Sequence, residues 1–545
     1  ACGPAAAPGG AAAMTARATA APRAASRRRS GLDRVELGVL AALAGLSVLV
    51  LAALLTKGRA LTGADGLLAS DQLQYFTWIR QAGEHGLIGN EYDLAPDERV
   101  FLHPGFLLSG LVHAAAGISV PLSYLLWKPV AVGLLFWGVL RYVRRLLGPG
   151  GPRHAALVLA LFAVMPASAI VAWTGFGGKP RQFTFDFIAG ELGSAQYLWG
   201  YLMTAIAVAL MPLVLLAVED WRSRRRAGTL ALAAAGALLA TWLQPWQGGT
   251  LVLVVVAAEA LTWRRERRRP AAAILAVPLA ACVPAVYYAV LERSDAAWEL
   301  AGRVNAAGNQ ATWSWPWWTI VVSLAPLALP AALAYRAPAR SWQEHAVRVW
   351  PFAALLVYLA PVGTFPYHAF QGMTIPLAVL AVQGTLAVWP GPRATVVVAC
   401  LALMTLPGTV HRFEVAVNSI RAAGDPYFVF GGEQRALDAL AADPRPGGVL
   451  APAYGGHMIP YRTGREVFVG ALSWTPDWDA RVRETRALFE GAMGPAEAQA
   501  LARRSGARFA FVDCRPGLRD LRPLLGPVIA RTRRFGCATL YDLRP

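Results

Sequence analysis

Four of the acidic residues in the segment 57–120 are candidates for catalysis, because a carboxylate can take a proton from an attacking hydroxyl. They are Asp65, Asp71, Glu91 and Asp93. From Ser70 onward the apolar residues recur with the period of an amphipathic helix, which puts Asp71 in a first turn and Tyr75 on its face. An acid in a first turn also stabilises a helix through its dipole alone. The segment therefore predicts either a catalytic carboxylate or a plain helix start.

Polar residues also occur in three later segments, each of which lies between apolar runs. Residues 174–196 contain Lys179 and Arg181, and residues 292–316 contain Arg303. A third segment, 365–371, contains His368. This histidine could cap an interface or contact a phosphate, and the local sequence leaves both open.

The composition limits which elements can position these residues. Of 545 residues, 56% are hydrophobic and 15% are charged, with a mean hydropathy of +0.42. Soluble domains carry about 25% charged residues, so a soluble enzyme is excluded. Five cysteines are too few for a disulfide scaffold, and the hydrophobicity excludes a disordered chain.

Hydrophobic runs approaching the ~20 residues that cross a bilayer recur along the chain. We predict eleven spans, at 36–56, 121–140, 155–173, 197–218, 228–243, 249–263, 271–291, 317–335, 349–363, 371–389 and 394–410. Residues 103–118 are apolar but short, and we interpret them as a helix lying in the outer interface.

The net charge of +18 comes almost entirely from arginines between these runs, so it indicates a membrane topology rather than a nucleic-acid partner. With a cytoplasmic N-terminus, every arginine cluster falls on the cytoplasmic side, as the positive-inside rule requires. Residues 1–32 are then a disordered cytoplasmic tail, 33–411 the transmembrane domain, and 57–120 its long first outer loop.

The composition changes after residue 411, where short β-like runs alternate with amphipathic helices. We predict a small extracytoplasmic α/β domain over residues 412–545. Cys514 and Cys537 both belong to it, in a compartment where disulfides persist, and we expect them to pair. Two free thiols are the alternative.

Several motifs of other protein classes are absent from the sequence. It has no phosphate-binding Walker loop, no glycine-rich dinucleotide fingerprint and no paired Cys-x-x-Cys. The predicted spans also contain few ionisable groups, whereas ion-coupled transporters carry them near the midplane. The polar chemistry is therefore expected outside the bilayer.

Together these features resemble the GT-C glycosyltransferases, which are membrane enzymes that take a sugar from a polyprenyl-phosphate carrier. The shared features are the acid and aromatic helix of the first outer loop, His103-Pro104, the arginine-rich turn after the second span, Ile375-Pro376, and the tail 454–465. The loop lacks an adjacent acid pair, and His368 replaces the arginine or lysine of many members.

The resemblance implies a role for each candidate residue. Asp71 is the expected general base, with Asp65, Glu91 and Asp93 as secondary acids. Lys179, Arg181, His368 and Arg303 are expected at the donor phosphate, and Tyr75 and His103 at the acceptor or donor. No metal ligands are identified, although a divalent metal stays possible. The implied partners are the bilayer, a polyprenyl-phosphate sugar and a glycan, lipid or protein acceptor.

Two other functional classes stay open from the sequence. One is a transporter or flippase for a lipid-linked component, and the other is a non-catalytic envelope-binding membrane protein. If Asp71 borders a cavity with basic residues beside it, the transferase is favoured. If it faces lipid or bulk water, the binding protein is favoured.

Overall fold

The computed structural model describes residues 31–95, 97–267, 271–313, 317–360, 365–389, 391–421 and 426–544. Residues 1–30 of the predicted N-terminal tail lie outside this part of the chain. The helices up to Arg421 are α1 (Arg34–Leu55), α2 (Ala69–His85), α3 (Pro104–Ala116), α4 (Val120–Leu125), α5 (Trp127–Leu146), α6 (Gly151–Phe162), α7 (Pro166–Thr174), α8 (Gly178–Leu192), α9 (Leu202–Arg224), α10 (Ala227–Leu243), α11 (Pro245–Glu266), α12 (Ala276–Ser294), α13 (Ala296–Trp313), α14 (Trp317–Leu333), α15 (Trp342–Leu359), α16 (Thr374–Val388) and α17 (Pro392–Arg421).

The described chain contains seven helical segments long and apolar enough to cross a membrane, or eight if the bent pair α6–α7 is one span. Each of the eleven predicted spans coincides with one of these segments or with α10, α15 or α16, which are shorter or more polar. The chain is therefore a mostly helical, multi-pass membrane protein. The 13 residues of α3 span only ~20 Å, less than the ~30 Å hydrocarbon core, as expected for an interfacial helix.

The arginine clusters meet at one end of the helical bundle. Arg144 Nε donates to Glu36 Oε1 at 2.9 Å, which joins the end of α5 to the start of α1. Arg145 Nε donates to Glu219 Oε2 at 2.8 Å near the end of α9, and Arg222 pairs with Glu259 of α11. Clusters far apart in sequence thus share one side of the bundle, as the positive-inside reasoning requires.

A four-stranded sheet follows the last long helix. Its strands are β1 (Val449–Leu450), β2 (Phe509–Val512), β3 (Ile529–Phe535) and β4 (Ala538–Leu543), in the order β1-β2-β4-β3. The surrounding helices are α18 (Gly431–Ala441), α19 (Ala453–Thr463), α20 (Trp478–Phe489), α21 (Pro495–Ser505) and α22 (Arg522–Leu525). The predicted boundary at residue 411 falls inside α17, which continues to Arg421.

A disulfide links Cys514, just after β2, to Cys537 in the turn between β3 and β4, with the Cα atoms 5.0 Å apart. These are the two cysteines that the sequence analysis pairs. The sequence of this region predicts a β-like run at Glu466–Val469 and none at Ile529–Phe535, and the structure differs at both places. Residues 466–469 form only a single bridge, Val449 to Val467, whereas the arginine-rich residues 529–535 form strand β3.

The C-terminal module, residues 426–544 with the four-stranded sheet and helices α18 to α22, packs on the segment between α1 and α3. The Thr62 N–H donates to the Tyr427 carbonyl at 2.9 Å, and the Val467 N–H donates to the Glu91 carbonyl at 3.0 Å. Asn90 Nδ2 also donates to the Trp474 carbonyl at 2.8 Å. The segment that carries Asp71 is thus held between the membrane helices and the C-terminal module.

Candidate active site

Helix α2 positions Asp71 in its first turn, as the sequence predicts. Leu73, Phe76 and Ile79 bury one face of the helix completely. On another side α2 crosses α3 so closely that a Cβ at Gly110 would lie 2.4 Å from the Gly83 nitrogen. This backbone contact fixes the helix, so the position of Asp71 is set by packing on both sides.

Asp71 is half-buried and accepts a hydrogen bond from the hydroxyl of Tyr201, at 2.9 Å to Oδ2. Tyr201 directly precedes α9. The ring of Tyr75, one helical turn beyond Asp71, lies 6.3 Å from the Tyr201 ring and 5.3 Å from that of Phe106. Aromatic rings therefore line the face of α2 that carries the carboxylate.

A second group of polar side chains lies beside this carboxylate. His368, in the short turn Pro366–Phe370, has its Nδ1 3.0 Å from Glu191 Oε2, at the end of α8. Gln371 Nε2 donates to the same oxygen at 2.9 Å. The His368 side chain is 34% exposed and that of Glu191 13%, so both are within reach of a ligand.

The charges of the two groups act on each other. Burial raises the pKa of Asp71 and the charge of Glu191 adds to this, against the hydrogen bond from Tyr201 and the charge of His368, which lower it. Burial lowers the pKa of His368, but the charge and hydrogen bond of Glu191, with the charge of Asp71, outweigh it and raise that pKa. The arrangement favours a basic carboxylate beside a protonated imidazole.

Arg412 of α17 lies on the other side of Glu191. Its Nε donates to Gln196 Oε1 at 2.5 Å, and its Nη1 donates to the Asp186 carbonyl at 3.2 Å. A Cβ at Gly190 would lie 3.1 Å from Nη2, so the guanidinium packs directly against the α8 backbone. Arg412 therefore ties α8 to α17 and is a buried cation whose charge interacts with that of Glu191.

The secondary acids lie elsewhere and have other partners. Asp65 is fully buried in an ion pair with Lys128 at 2.6 Å, and Asp93 pairs with Arg481 at 2.7 Å. Burial raises the pKa of Glu91 to about 8. Asp65 and Asp93 thus each have a basic partner of their own, and Asp71 is the acid whose pKa the charge of His368 lowers.

The predicted phosphate partners separate into two groups. His368 lies at the site, whereas Lys179 and Arg181 lie at the start of α8, ten or more residues before Glu191 and so ~15 Å or more away along the helix. Arg303 is exposed and pairs with Glu299 of its own helix. Of the four, the structure brings only His368 to Asp71.

His103 caps the start of α3, where its Nδ1 accepts the Phe106 N–H at 3.2 Å. Burial lowers its pKa to about 3, so the ring is neutral and able to accept that hydrogen bond. Its ring also stacks on that of Phe106 at 3.9 Å, and Phe106 in turn stacks on Tyr75. His103 thus supports the aromatic face next to Asp71.

Sequence reasoning did not assign roles to Tyr201, Glu191, Gln371 or Arg412. Their signals are weak because each is a single polar residue at the border of an apolar run. Arg412 lies two residues after the last predicted span, and Glu191 lies near the end of the polar segment 174–196. Only the folded bundle brings these borders together.

Among the described residues, one group offers closely spaced metal ligands: Asp33, Glu36 and His154 at the arginine end. Arg144 and Arg153 already pair with these acids, so a cation there would compete with two guanidinium groups. The ligand atoms of Asp71, Glu191 and His368 form no group of this kind.

No protein-family model matches the chain, and no curated protein matches it. The solved structures give similarities along more than nine tenths of its length. The archaeal oligosaccharyltransferase AglB from Archaeoglobus fulgidus, in complex with an inhibitory peptide and a dolichol-phosphate, has a TM-score of 0.41 at 14% identity, over 91% of this chain and 72% of AglB.

Two bacterial structures are similar to the same extent. ArnT from Cupriavidus metallidurans bound to undecaprenyl phosphate has a TM-score of 0.42 at 13% identity, over 93% of this chain and 97% of ArnT. The arabinofuranosyltransferase AftD from Mycobacteria has a TM-score of 0.49 at 15% identity, over 94% of this chain but 42% of AftD. These similarities, at 13–15% identity, concern the fold alone.

Proposed function

We propose that the protein is a membrane glycosyltransferase that moves a sugar from a polyprenyl-phosphate donor to an acceptor hydroxyl. The observation that carries the proposal is that Asp71, a half-buried carboxylate oriented by Tyr201, and His368, an imidazole held by Glu191, are near enough for the charge of each to shift the pKa of the other. This transfer needs a base and a cation in the same site. The base removes the proton of the attacking hydroxyl, and the cation stabilises the charge that grows on the leaving phosphate.

Asp71 acts as the general base. The acceptor hydroxyl loses its proton to Asp71 as its oxygen forms a bond to the anomeric carbon of the sugar. Tyr201 occupies Oδ2, which leaves Oδ1 for the acceptor. Because the acceptor itself displaces the leaving group in one step, the configuration at the anomeric carbon inverts.

His368 acts on the leaving group. As the bond from the anomeric carbon to the phosphate oxygen breaks, negative charge grows on the carrier phosphate. A protonated imidazole donates a hydrogen bond to that oxygen, and Glu191 supports the protonated form. The products are the glycosylated acceptor, a free polyprenyl phosphate and a protonated Asp71.

The proposal includes an orientation for the site. The arginine clusters meet at one end of the bundle, and the positive-inside rule assigns that end to the cytoplasm. Asp71, His368 and the N-terminus of α9 belong to the other end by the alternation of the helices. The site and the C-terminal module are then extracytoplasmic, where lipid-linked sugars replace nucleotide sugars as donors.

The test is transfer from a radiolabelled polyprenyl-phosphate sugar to native membranes by purified Asp71→Asn protein. We expect a 10²–10⁴-fold loss of rate, the typical cost of removing a general base. Asn keeps the size of the side chain and its hydrogen bond with Tyr201, so folding should be unaffected.

Asp93→Asn is the matched control, since it removes a carboxylate of the same segment whose partner is Arg481. It should transfer at nearly the normal rate. Normal transfer by Asp71→Asn together with loss in Asp93→Asn would assign the base elsewhere. Normal transfer by both variants would contradict an active site in this segment.

A further inference from the structure

An apolar groove of about 700 Å³ lies between helices of the bundle, and neither Asp71 nor His368 is among the residues that line it. It is formed by α7, α14 and α17, with Phe176 and Phe185 at one end and Leu333 and Trp389 at the other. Ile170, Leu329 and Met404 of its lining are exposed, so the groove opens to the surface that faces lipid. Such a surface accommodates a hydrocarbon chain.

The length of the groove restricts what fills it. Its lining on α14 extends from Trp318 to Leu333, which corresponds to ~22 Å of helix. One leaflet supplies only about half of the ~30 Å hydrocarbon core. A chain that fills the groove therefore passes the midplane, which suits a long polyisoprenoid better than a phospholipid acyl chain.

Cationic side chains stand at one end of the groove. The Arg181 guanidinium lies 4.5 Å from the Phe176 ring centre and 5.4 Å from that of Trp318, and both rings line the groove. Lys179 is exposed two residues earlier. Neither cation has a carboxylate partner among the described residues, so both are available to a phosphate.

This end of the groove does not belong to the reaction site. Arg181 and Glu191 are ten residues apart on α8, ~15 Å along the helix. The Arg181 side chain also reaches back over Phe176, away from Glu191. A phosphate held at Arg181 is thus too far from Asp71 and His368 to be the one that leaves during transfer.

We propose that the groove is a second lipid site, which holds a polyprenyl phosphate with its phosphate at Arg181 and its chain between α14 and α17. The chemistry of this ligand rests on the proposed function, since transfer releases a polyprenyl phosphate. The site itself is separate from the reaction. It binds the free polyprenyl phosphate after the sugar has been transferred.

The experiment labels the full chain, reconstituted in phosphatidylcholine nanodiscs, with undecaprenyl phosphate carrying a photoreactive group in its chain. Mass spectrometry then locates the labelled peptides, which we expect in α14 and α17. Val322→Trp should abolish this labelling because Val322 lines the groove. Val321→Trp is the matched control, because Val321 is exposed on the same helix outside the groove.

A second pair of variants tests the cations without changing the groove. Arg181→Gln should weaken labelling about tenfold or more, the expected effect of losing a charge-assisted hydrogen bond. Arg293→Gln, which removes an exposed arginine of α12, should not. Arg181→Gln also covers the case in which the tryptophan variant fails to fold.

Competition distinguishes the lipid classes. Unlabelled undecaprenyl phosphate should displace the probe, whereas dioleoyl phosphatidic acid should not. Equal displacement by phosphatidic acid, or unchanged labelling in both Val322→Trp and Arg181→Gln, would overturn the proposal. The outcome is independent of catalysis, because Asp71→Asn protein should label like the wild type whether or not Asp71 proves to be the base.

Discussion

At the residue scale, the Tyr201 hydroxyl and the Glu191 carboxylate shift the pKa values of the two reacting side chains in opposite directions. Tyr201 lowers the pKa of Asp71, and Glu191 raises the pKa of His368. Tyr201 donates to Asp71, and this hydrogen bond stabilises the ionised carboxylate. Glu191 accepts from His368, which stabilises the protonated imidazole. If Asp71 must be ionised and His368 protonated, the transfer rate has a bell-shaped dependence on pH.

Tyr201→Phe should shift the acidic limb of this bell. The hydrogen bond from Tyr201 lowers the pKa of Asp71, so its loss raises that pKa, and a higher pH is needed to ionise the base. Transfer rates measured across pH should show the acidic limb at higher pH. Tyr335→Phe, at the arginine end of the bundle, should leave the profile unchanged.

Glu191→Gln should shift the bell in the other direction. The Glu191 charge raises the pKa of both Asp71 and His368, so removing it lowers both. Both limbs should then move to lower pH, and lowering the pH should partly restore a rate lost at pH 7. A uniform loss of rate without any shift would contradict the electrostatic role of Glu191.

The sequence supports Asp71 and His368 as candidates because each lies in a polar interruption between apolar runs. Their partners could not be predicted in this way. Glu191, Tyr201 and Arg412 are distant in sequence from Asp71 and meet it only because α8, α9 and α17 end at the same side of the bundle. Pairing across 130 residues, as between Asp71 and Tyr201, leaves no local pattern.

At the scale of elements, the crossing of α2 and α3 is the contact that positions the catalytic helix. Their backbones meet at Gly83 and Gly110 with no room for a side chain. Helices could be predicted here from hydrophobic periodicity and length. The crossing could not, because a glycine in a helix gives no indication of its neighbour.

Gly110→Ala should therefore separate the two helices. The added methyl group would lie 2.4 Å from the Gly83 nitrogen, and overpacking of this kind typically costs about 1–3 kcal/mol. We expect a lower Tm and a lower transfer rate. Gly133→Ala in α5 is the matched control, because a Cβ there meets nothing within 4 Å.

At the scale of the whole molecule, the two ends of the bundle differ in kind. One end holds the arginine clusters and their acidic partners, and the other holds the candidate site and the C-terminal module. The spans and the charge asymmetry could be predicted from the sequence because both follow from contact with the bilayer. Strand β3 could not, since its arginine-rich sequence is stabilised by pairing with β4.

The proposed orientation predicts the behaviour of reporter fusions. Alkaline phosphatase fused after residue 430 should be active, because it folds only outside the cytoplasm. The same reporter fused after Arg225, at the arginine end, should be inactive. Fluorescence from a cytoplasmic reporter placed after residue 430 would contradict the proposed orientation.

The contact between Thr62 and Tyr427 has a consequence for biosynthesis. These residues are separated by 365 positions, so the segment that carries Asp71 emerges from the ribosome long before the chain that braces it. A nascent chain that ends at Arg421 already has all the membrane helices described here, but Ala60 and Thr62 still lack their backbone partners. Catalytic competence should therefore arise only after residues 427–429 have been synthesised. A partly made chain in the membrane would be inserted but inert toward its substrates.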